Sequence, residues 1–184
     1  REALAELVGA RPQDVIFTSG GTEANNLALT PSLFSKDVQA REEGGARLYV
    51  SAIEHPSVLN GMRFAKEQIK VIPVTAEGLV DTEWLRNELL GESEEVQPLK
   101  KAGEERATAW PILVSVMAVN NETGILQPVA EIAEIVHEAG GLLHSDCVQA
   151  LGKLPLLLPM TNADLISVSA HKIGGPQGVG ALIL

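Results

Sequence analysis

The chain is short of cysteine, of positive charge and of long apolar runs, and each shortage excludes something. Cys147 is the one cysteine among 184 residues, so no intramolecular disulfide can form, and a reducing, cytosolic compartment is expected. Lysine and arginine number 14 against 24 aspartates and glutamates, a net charge of −10. A field of that sign repels nucleic acid backbones and anionic membrane surfaces, so neither is expected as a partner. No apolar run reaches the length that spans a bilayer. The opening residues, "REALAELVGARPQD", have no basic stretch followed by a hydrophobic one and no cleavage site. They read as the last turns of a helix already under way, so the chain is expected to begin mid-protein. Four histidines and one cysteine show no metal-ligand spacing, and no metal site is expected. The pattern G-x-x-x-x-G-K-[ST] is missing, and "GGPQGVGALIL" does not complete G-x-G-x-x-G. ATP and dinucleotide readings fall with them.

What is present is a regular alternation of two periods. A composition of 45% apolar and 21% charged residues supports one domain with a real core. Strand-length apolar runs occur at residues 15–18, 47–53, 70–75, 111–119, 141–146, 163–170 and 178–184. Helix-like segments lie between most of them. "EHPSVLNGMRFAKEQ" follows the second run, "DTEWLRNELL" opens on Asp81 as an N-cap, and "PVAEIAEIVHEAG" has Pro128 in its first turn and Gly140 at its end. The last of these places Val129, Ile132, Ile135 and Val136 on one face. The alternation predicts an α/β fold, a mostly parallel central sheet flanked by helices, with ligands at the carboxyl ends of the strands. Two charge-rich stretches, "TPSLFSKDVQAREEGGA" and "LLGESEEVQPLKKAGEERATAW", read as solvated excursions.

The residues with chemistry fall at those strand ends. "FTSGGTEANNLAL" passes from a strand through a glycine turn, Gly21 included, into a helix with Thr22 in its first turn. Unpaired amides and a hydroxyl there suit a phosphate, although such turns also cap helices without any anion. "LLHSDCVQALG" ends a strand on Asp146 and places Gln149 three residues on. A carboxylate so placed can hold a protonated ring nitrogen, and an amide can bond a ring hydroxyl; the plainer reading is a helix cap with a surface glutamine. "SVSAHK" supplies Ser169 and His171 as donors and Lys172 as an amine. A lysine ending an apolar run is usually solvated, but in a desolvated pocket it becomes a nucleophile for a carbonyl. Phosphate, ring nitrogen, phenolic oxygen and aldehyde together describe pyridoxal 5'-phosphate.

The stretches "TSGGTEANN", "EHPSVLN", "VNNETG", "HSDCVQALGKLPL" and "SAHKIGGPQGVGAL", in this order, resemble the cysteine desulfurase and selenocysteine lyase family. This is the class V aminotransferase group of fold type I pyridoxal phosphate enzymes, and the likeness covers nearly the whole chain. It implies that residues 1–184 form the cofactor-binding large domain. The C-terminal small domain, the catalytic cysteine loop and the substrate-carboxylate arginine are then expected beyond Leu184. By the same resemblance Lys172 would hold the cofactor covalently and take the substrate Cα proton. Thr22, Ser169 and His171, with the backbone around Gly21, would hold the phosphate. Asp146 would pair with the ring nitrogen and Gln149 with the ring hydroxyl. His55 would stack on the ring and assist proton transfer, and Asn121 would lie near the ring hydroxyl and the substrate carboxylate. His137 and His144 match no functional position. Cys147, beside Asp146, reads as a buried small side chain, since a neighbouring carboxylate disfavours the thiolate.

Within the family the likeness of "FTSGGTEANNLAL", "SAIEHPSVLNGMRF" and the excursion before "PILVSVMAVNNETGILQPV" is greatest to animal-type selenocysteine lyases. The expected reaction is conversion of L-selenocysteine to L-alanine and reduced selenium. One alternative is a cysteine desulfurase that acts on L-cysteine and leaves enzyme-bound persulfide. Another is a non-catalytic pyridoxal phosphate-binding module. The resemblance also implies a homodimer and a possible selenium-accepting partner protein.

Overall fold

A computed structural model describes residues 1–31, 46–60, 63–91, 111–154 and 161–184. Most of both charge-rich stretches lies outside the described residues. Among the described residues seven strands form one sheet: β1 (Val15–Thr18), β2 (Arg47–Ser51), β3 (Ile69–Ile72), β4 (Ile112–Ser115), β5 (Leu142–Asp146), β6 (Leu165–Ser169) and β7 (Gly180–Ile183). Their order is β1-β7-β6-β5-β4-β2-β3. β7 runs antiparallel to β1 and β6, while β2 to β6 pair in parallel. Each predicted strand is present: β1 has the expected bounds, β3 begins one residue earlier and stops sooner, and the others are shortened. Beyond Ser115 the chain still bonds to β5, through Val116 N–H to His144 O and Ala118 N–H to Asp146 O.

The helices are α1 (Glu2–Val8), α2 (Gly21–Ala28), α3 (Pro56–Leu59), α4 (Thr82–Leu90) and α5 (Val129–Glu138). α1, α4 and α5 cover one face of the sheet, with Ala5, Leu85, Leu89, Ile132 and Ile135 packed on Val114, Leu143, Ile166 and Val168. α2 and α3 cover the other, where Ala24, Ala28 and Val58 meet Leu48, Val50, Leu113, Leu165 and Leu182. Being covered on both sides explains why β4 and β6 read as continuous apolar runs and are buried at every residue. A Leu→Ala change at Leu113 or Leu143 would cost about 2–5 kcal/mol.

Asp81 caps α4 as expected, its Oδ1 accepting from Trp84 N–H at 2.8 Å. All four residues of the predicted α5 face are buried, although Pro128 is the N-cap residue and not part of the first turn. The helix expected over "EHPSVLNGMRFAKEQ" shrinks to the four residues of α3. Phe64 turns into the core on the α2 side, and Gln68 bonds Ala65 N–H and Ala46 O. These tertiary contacts outweigh helix propensity.

Candidate active site

The sheet register puts a polar strip on the α2 side. Ser115 pairs with His144, and Asp146 with Ser167; with Ser169, two residues after Ser167, they share one face of the sheet. Towards the amino ends that face carries Leu113 and Leu165, so it is apolar at one end and polar at the carboxyl end. His144 is fully buried, its ring nitrogens 2.9 Å from Ser115 Oγ and 2.9 Å from Ser167 Oγ. Burial drives its pKa down to about 3, which keeps the imidazole neutral at ordinary pH.

At the top of this strip sits Asp146, the last residue of β5 and buried. Its Oδ1 accepts from Val148 N–H at 2.9 Å and its Oδ2 from Asn25 Nδ2 at 2.7 Å. Burial raises its pKa, while those two donors and the nearby His55 oppose the rise. Asn25 lies on the buried face of α2 between Ala24 and Ala28, and its Nδ2 also donates to Ser57 Oγ at 2.9 Å. Its Oδ1 is buried with no partner among the described residues. His55 is the N-cap of α3, as its plain reading as a helix-start histidine expects. Its Nδ1 lies 2.8 Å from Ser57 Oγ and accepts from Ser57 N–H at 3.1 Å.

The phosphate-binding candidates converge from two strands. Gly20 caps α2 without any side-chain bond, so the first helical amides have no intrahelical acceptor; Ser19 N–H, just before, is taken by Glu23 Oε2 at 2.6 Å. A Cβ built on Gly21 would lie 2.8 Å from Val148 Cγ2 and 3.5 Å from Ser169 Cβ. Only glycine lets the helix start sit this close to the turn after Asp146 and the end of β6. Ser169 Oγ is in turn 2.8 Å from His171 Nδ1, and Thr22 stands exposed one residue into α2.

Lys172 occupies a 3₁₀ turn, Ala170–Ile173, directly after β6. That turn packs on the one after β5: a Cβ on Gly152 would meet Ile173 Cγ2 at 2.7 Å. The amine is therefore on the same rim as Asp146, but Lys172 is exposed. The desolvated pocket that would favour a neutral amine is not formed by the described residues, because the turn carries the side chain past the end of the sheet. Gln149 is half-buried in the turn after β5, with its Oε1 bonded to Lys153 Nζ. Asn121 is exposed after β4, and no hydrogen bond joins it to the others.

Sequence reasoning passed over several residues that organise this region. Asn120 is the organiser of "VNNETG": its Oδ1 accepts from Glu122 N–H, Thr123 N–H and Thr123 Oγ1, and its Nδ2 reaches Ile53 O at 3.1 Å. Glu54 is buried, its Oε1 accepting from Met117 N–H at 2.7 Å and Ser51 Oγ at 2.8 Å. Burial, helped slightly by Asp146, raises its pKa to about 8, so it is mostly protonated at neutral pH. The available signals were a polar residue on the small-residue face of α2 and an acid beside a candidate histidine. Cys147 is fully buried with its thiol pushed up to about 12, chiefly by desolvation, which bears out its reading as an inert side chain.

The donor set suits pyridoxal phosphate. Uncapped amides with Ser169 and His171 suit an anion, Asp146 suits a cationic ring N–H, and a buried unpartnered acceptor, Asn25 Oδ1, lies beside that carboxylate. Among the described residues no helix is long and apolar enough to cross a membrane, and no group of three His, Cys, Asp or Glu could hold a metal ion.

Comparison with known proteins agrees with this fold. The mitosomal cysteine desulfurase of Trachipleistophora hominis is 37% identical over 185 residues, covering 99% of this chain and 37% of that protein. The mitochondrial cysteine desulfurase of Drosophila melanogaster is 40% identical over 187 residues, covering 99% and 35%. The chain thus spans under half the length of the curated relatives it matches. Among solved structures, the NifS-like protein of Rickettsia africae superposes with a TM-score of 0.74 at 34% identity, over 98% of this chain and 44% of that one. A structure of SspA in complex with cysteine gives 0.76 at 30% identity, over 100% and 47%. The aminotransferase class-V profile matches residues 1–184, and the chain belongs to that family, whose cofactor is pyridoxal phosphate.

Proposed function

We propose that this chain is the cofactor-binding part of an enzyme that removes the chalcogen from the β-carbon of a cysteine-type amino acid and leaves alanine. L-cysteine is the first substrate reading, because the relatives described above are cysteine desulfurases and one similar structure holds cysteine. L-selenocysteine is the second, favoured by the likeness of "FTSGGTEANNLAL" and "SAIEHPSVLNGMRF" to selenocysteine lyases. The observation that carries the proposal is the convergence of Gly21, Asp146, Ser169 and Lys172 at one end of the sheet, with His55 tied to Asp146.

When bound, pyridoxal phosphate supplies a carbonyl carbon and a ring that takes up the electron pair released at Cα. Asp146 would hold the ring N–H, which would keep the ring electron-poor. Ser169, His171, Thr22 and the first amides of α2 bind the phosphate. Lys172 Nζ would anchor the cofactor and would be the group to carry the Cα proton. His55 would face the ring and could move a proton on the substrate side, while Gln149 would bond the ring hydroxyl and Asn121 would lie near the ring hydroxyl and the substrate carboxylate. Cys147 cannot receive the sulfur, because its thiol is buried and protonated. The intact enzyme is proposed to be a cytosolic homodimer.

The test is alanine release from L-cysteine and L-selenocysteine supplied separately to the intact enzyme under reducing, anaerobic conditions. Release from cysteine supports the desulfurase reading, and release from selenocysteine alone replaces it with the lyase. A cofactor-loaded protein whose visible spectrum responds to no amino acid would leave the non-catalytic module.

A further inference from the structure

We propose that Asn25 and Ser57 are positioning residues that tie Asp146 to His55 through one directed chain of hydrogen bonds and set the His55 ring as its Nε2–H tautomer. The inference rests on the reading of Asp146 and His55 as the groups facing the cofactor.

The direction of each bond follows from what each atom can do. Asn25 Nδ2 is an amide nitrogen and only donates. Its two hydrogens have two acceptors, Asp146 Oδ2 at 2.7 Å and Ser57 Oγ at 2.9 Å. Ser57 Oγ therefore accepts from Asn25, and its own hydrogen is left for the second atom close to it, His55 Nδ1 at 2.8 Å. The backbone N–H of Ser57, also a donor only, reaches the same Nδ1 at 3.1 Å. A ring nitrogen that receives two donors carries no proton, so the neutral ring bears its hydrogen on Nε2.

The chain sets both ends at once. Asp146 is held with one oxygen on Asn25 and the other on Val148 N–H, an arrangement of donors that suits the carboxylate and not the acid. His55 is held with Nδ1 turned into the start of α3, which leaves the Nε2–H edge for substrate or cofactor. Asn25 is 1% exposed, so a donor left without its acceptor there is not rescued by water. Because Asn25 sits on α2 and His55 on α3, the relay also fixes the two helices of this face against the end of β5. An Asn25 substitution is thus expected to disturb His55 without touching it.

The experiment compares the holoenzyme with Asn25→Ala, Ser57→Ala, Ser57→Thr and the double Asn25→Ala/Ser57→Ala variant. Pyridoxal phosphate affinity is read by visible absorbance titration. Imidazole ¹⁵N spectra are recorded with and without cofactor, His55 being assigned from His55→Gln. Each alanine variant is expected to bind cofactor about tenfold more weakly, and the double variant about as weakly as either single one. Ser57→Thr is expected to restore affinity to within about twofold. Wild-type His55 should show an unprotonated Nδ1 whose resonance moves in Ser57→Ala. Losses that multiply in the double variant, a threonine that does not rescue, or a wild-type proton on Nδ1 would overturn the relay. If Asn25→Ala does not fold, the half-buried Ser57 pair carries the comparison. If the unaltered protein binds no pyridoxal phosphate, the functional reading fails, while the cofactor-free ¹⁵N spectra still decide the relay.

Discussion

The two sides of the site are built differently. On the side of Asp146, polar groups are buried and bonded to one another: Asn25 is 1% exposed and Asp146 6%, and their bond partners come from α2, α3 and the turn after β5. On the side of Lys172, residues 171–179 are all exposed, and the backbone is held by Ala170 N–H to Val179 O and Gly175 N–H to Ala170 O. The difference teaches that this chain preorganises the groups proposed to face the cofactor ring, whereas the amine rides on a turn at the surface. Buried polar networks cost desolvation and return rigidity. An exposed turn keeps a long side chain free to reach.

The sharpest way to break the contrast is at its exposed end. Lys172→Ala should lower turnover of the holoenzyme by up to about 10⁴-fold, yet leave the melting temperature nearly unchanged, because the side chain is exposed. A large drop in melting temperature would show that the rim is structural after all.

The buried side should instead appear in stability against pH. His144, lowered from 6.5 to about 3, is protonated more readily in the unfolded chain, so stability falls as pH drops from about 6.5 towards 3. Glu54, raised from 4.5 to about 8, holds its proton more tightly when folded, so its contribution is full below 4.5 and is lost as pH rises through 8. The two slopes oppose each other between 4.5 and 6.5, giving a plateau with a fall of about 2 kcal/mol on either side, at about 1.4 kcal/mol per pKa unit. Urea denaturation across pH measures it, and Glu54→Gln should remove the alkaline fall while retaining the acid one.

Asp146→Ala should weaken pyridoxal phosphate binding by about a hundredfold and cost about 1–3 kcal/mol of stability, because Asn25 is left with a buried unpaired donor. Equilibrium titration and thermal melting separate the two losses. The smallest effect is expected at Cys147. Cys147→Ala should change stability by about 1 kcal/mol and turnover by less than about twofold, and the native thiol should react with a thiol reagent far more slowly than the unfolded one. Fast labelling without unfolding would contradict its burial.

Much of this is legible in the sequence, and the reason differs by element. Strand positions follow from apolar runs, continuous where a central strand is covered on both faces, so all seven are present, with errors confined to their ends. The helix after β2 was misread because its length depends on where Phe64 and Gln68 find partners elsewhere in the chain. Asp146 and Lys172 stand out as chemically capable residues at strand ends, while His55 reads as a helix-start histidine until the family resemblance gives it a role. Asn25, Ser57 and Asn120 do not stand out, since an amide or hydroxyl in a helix or turn has many bland uses.

By itself the sequence determined the alternation of strands and helices, the family motifs, the lone inert cysteine and which side chains could do chemistry. These are matters of residue type and local spacing. Only the tertiary structure decided that Asn25 bonds both Asp146 and Ser57, that Glu54 is buried and raised while Lys172 is exposed, and that Gly21 must be glycine beside Val148. Those facts depend on strand order and helix placement, which bring residues far apart in the chain to within a hydrogen bond, and no local pattern encodes that distance.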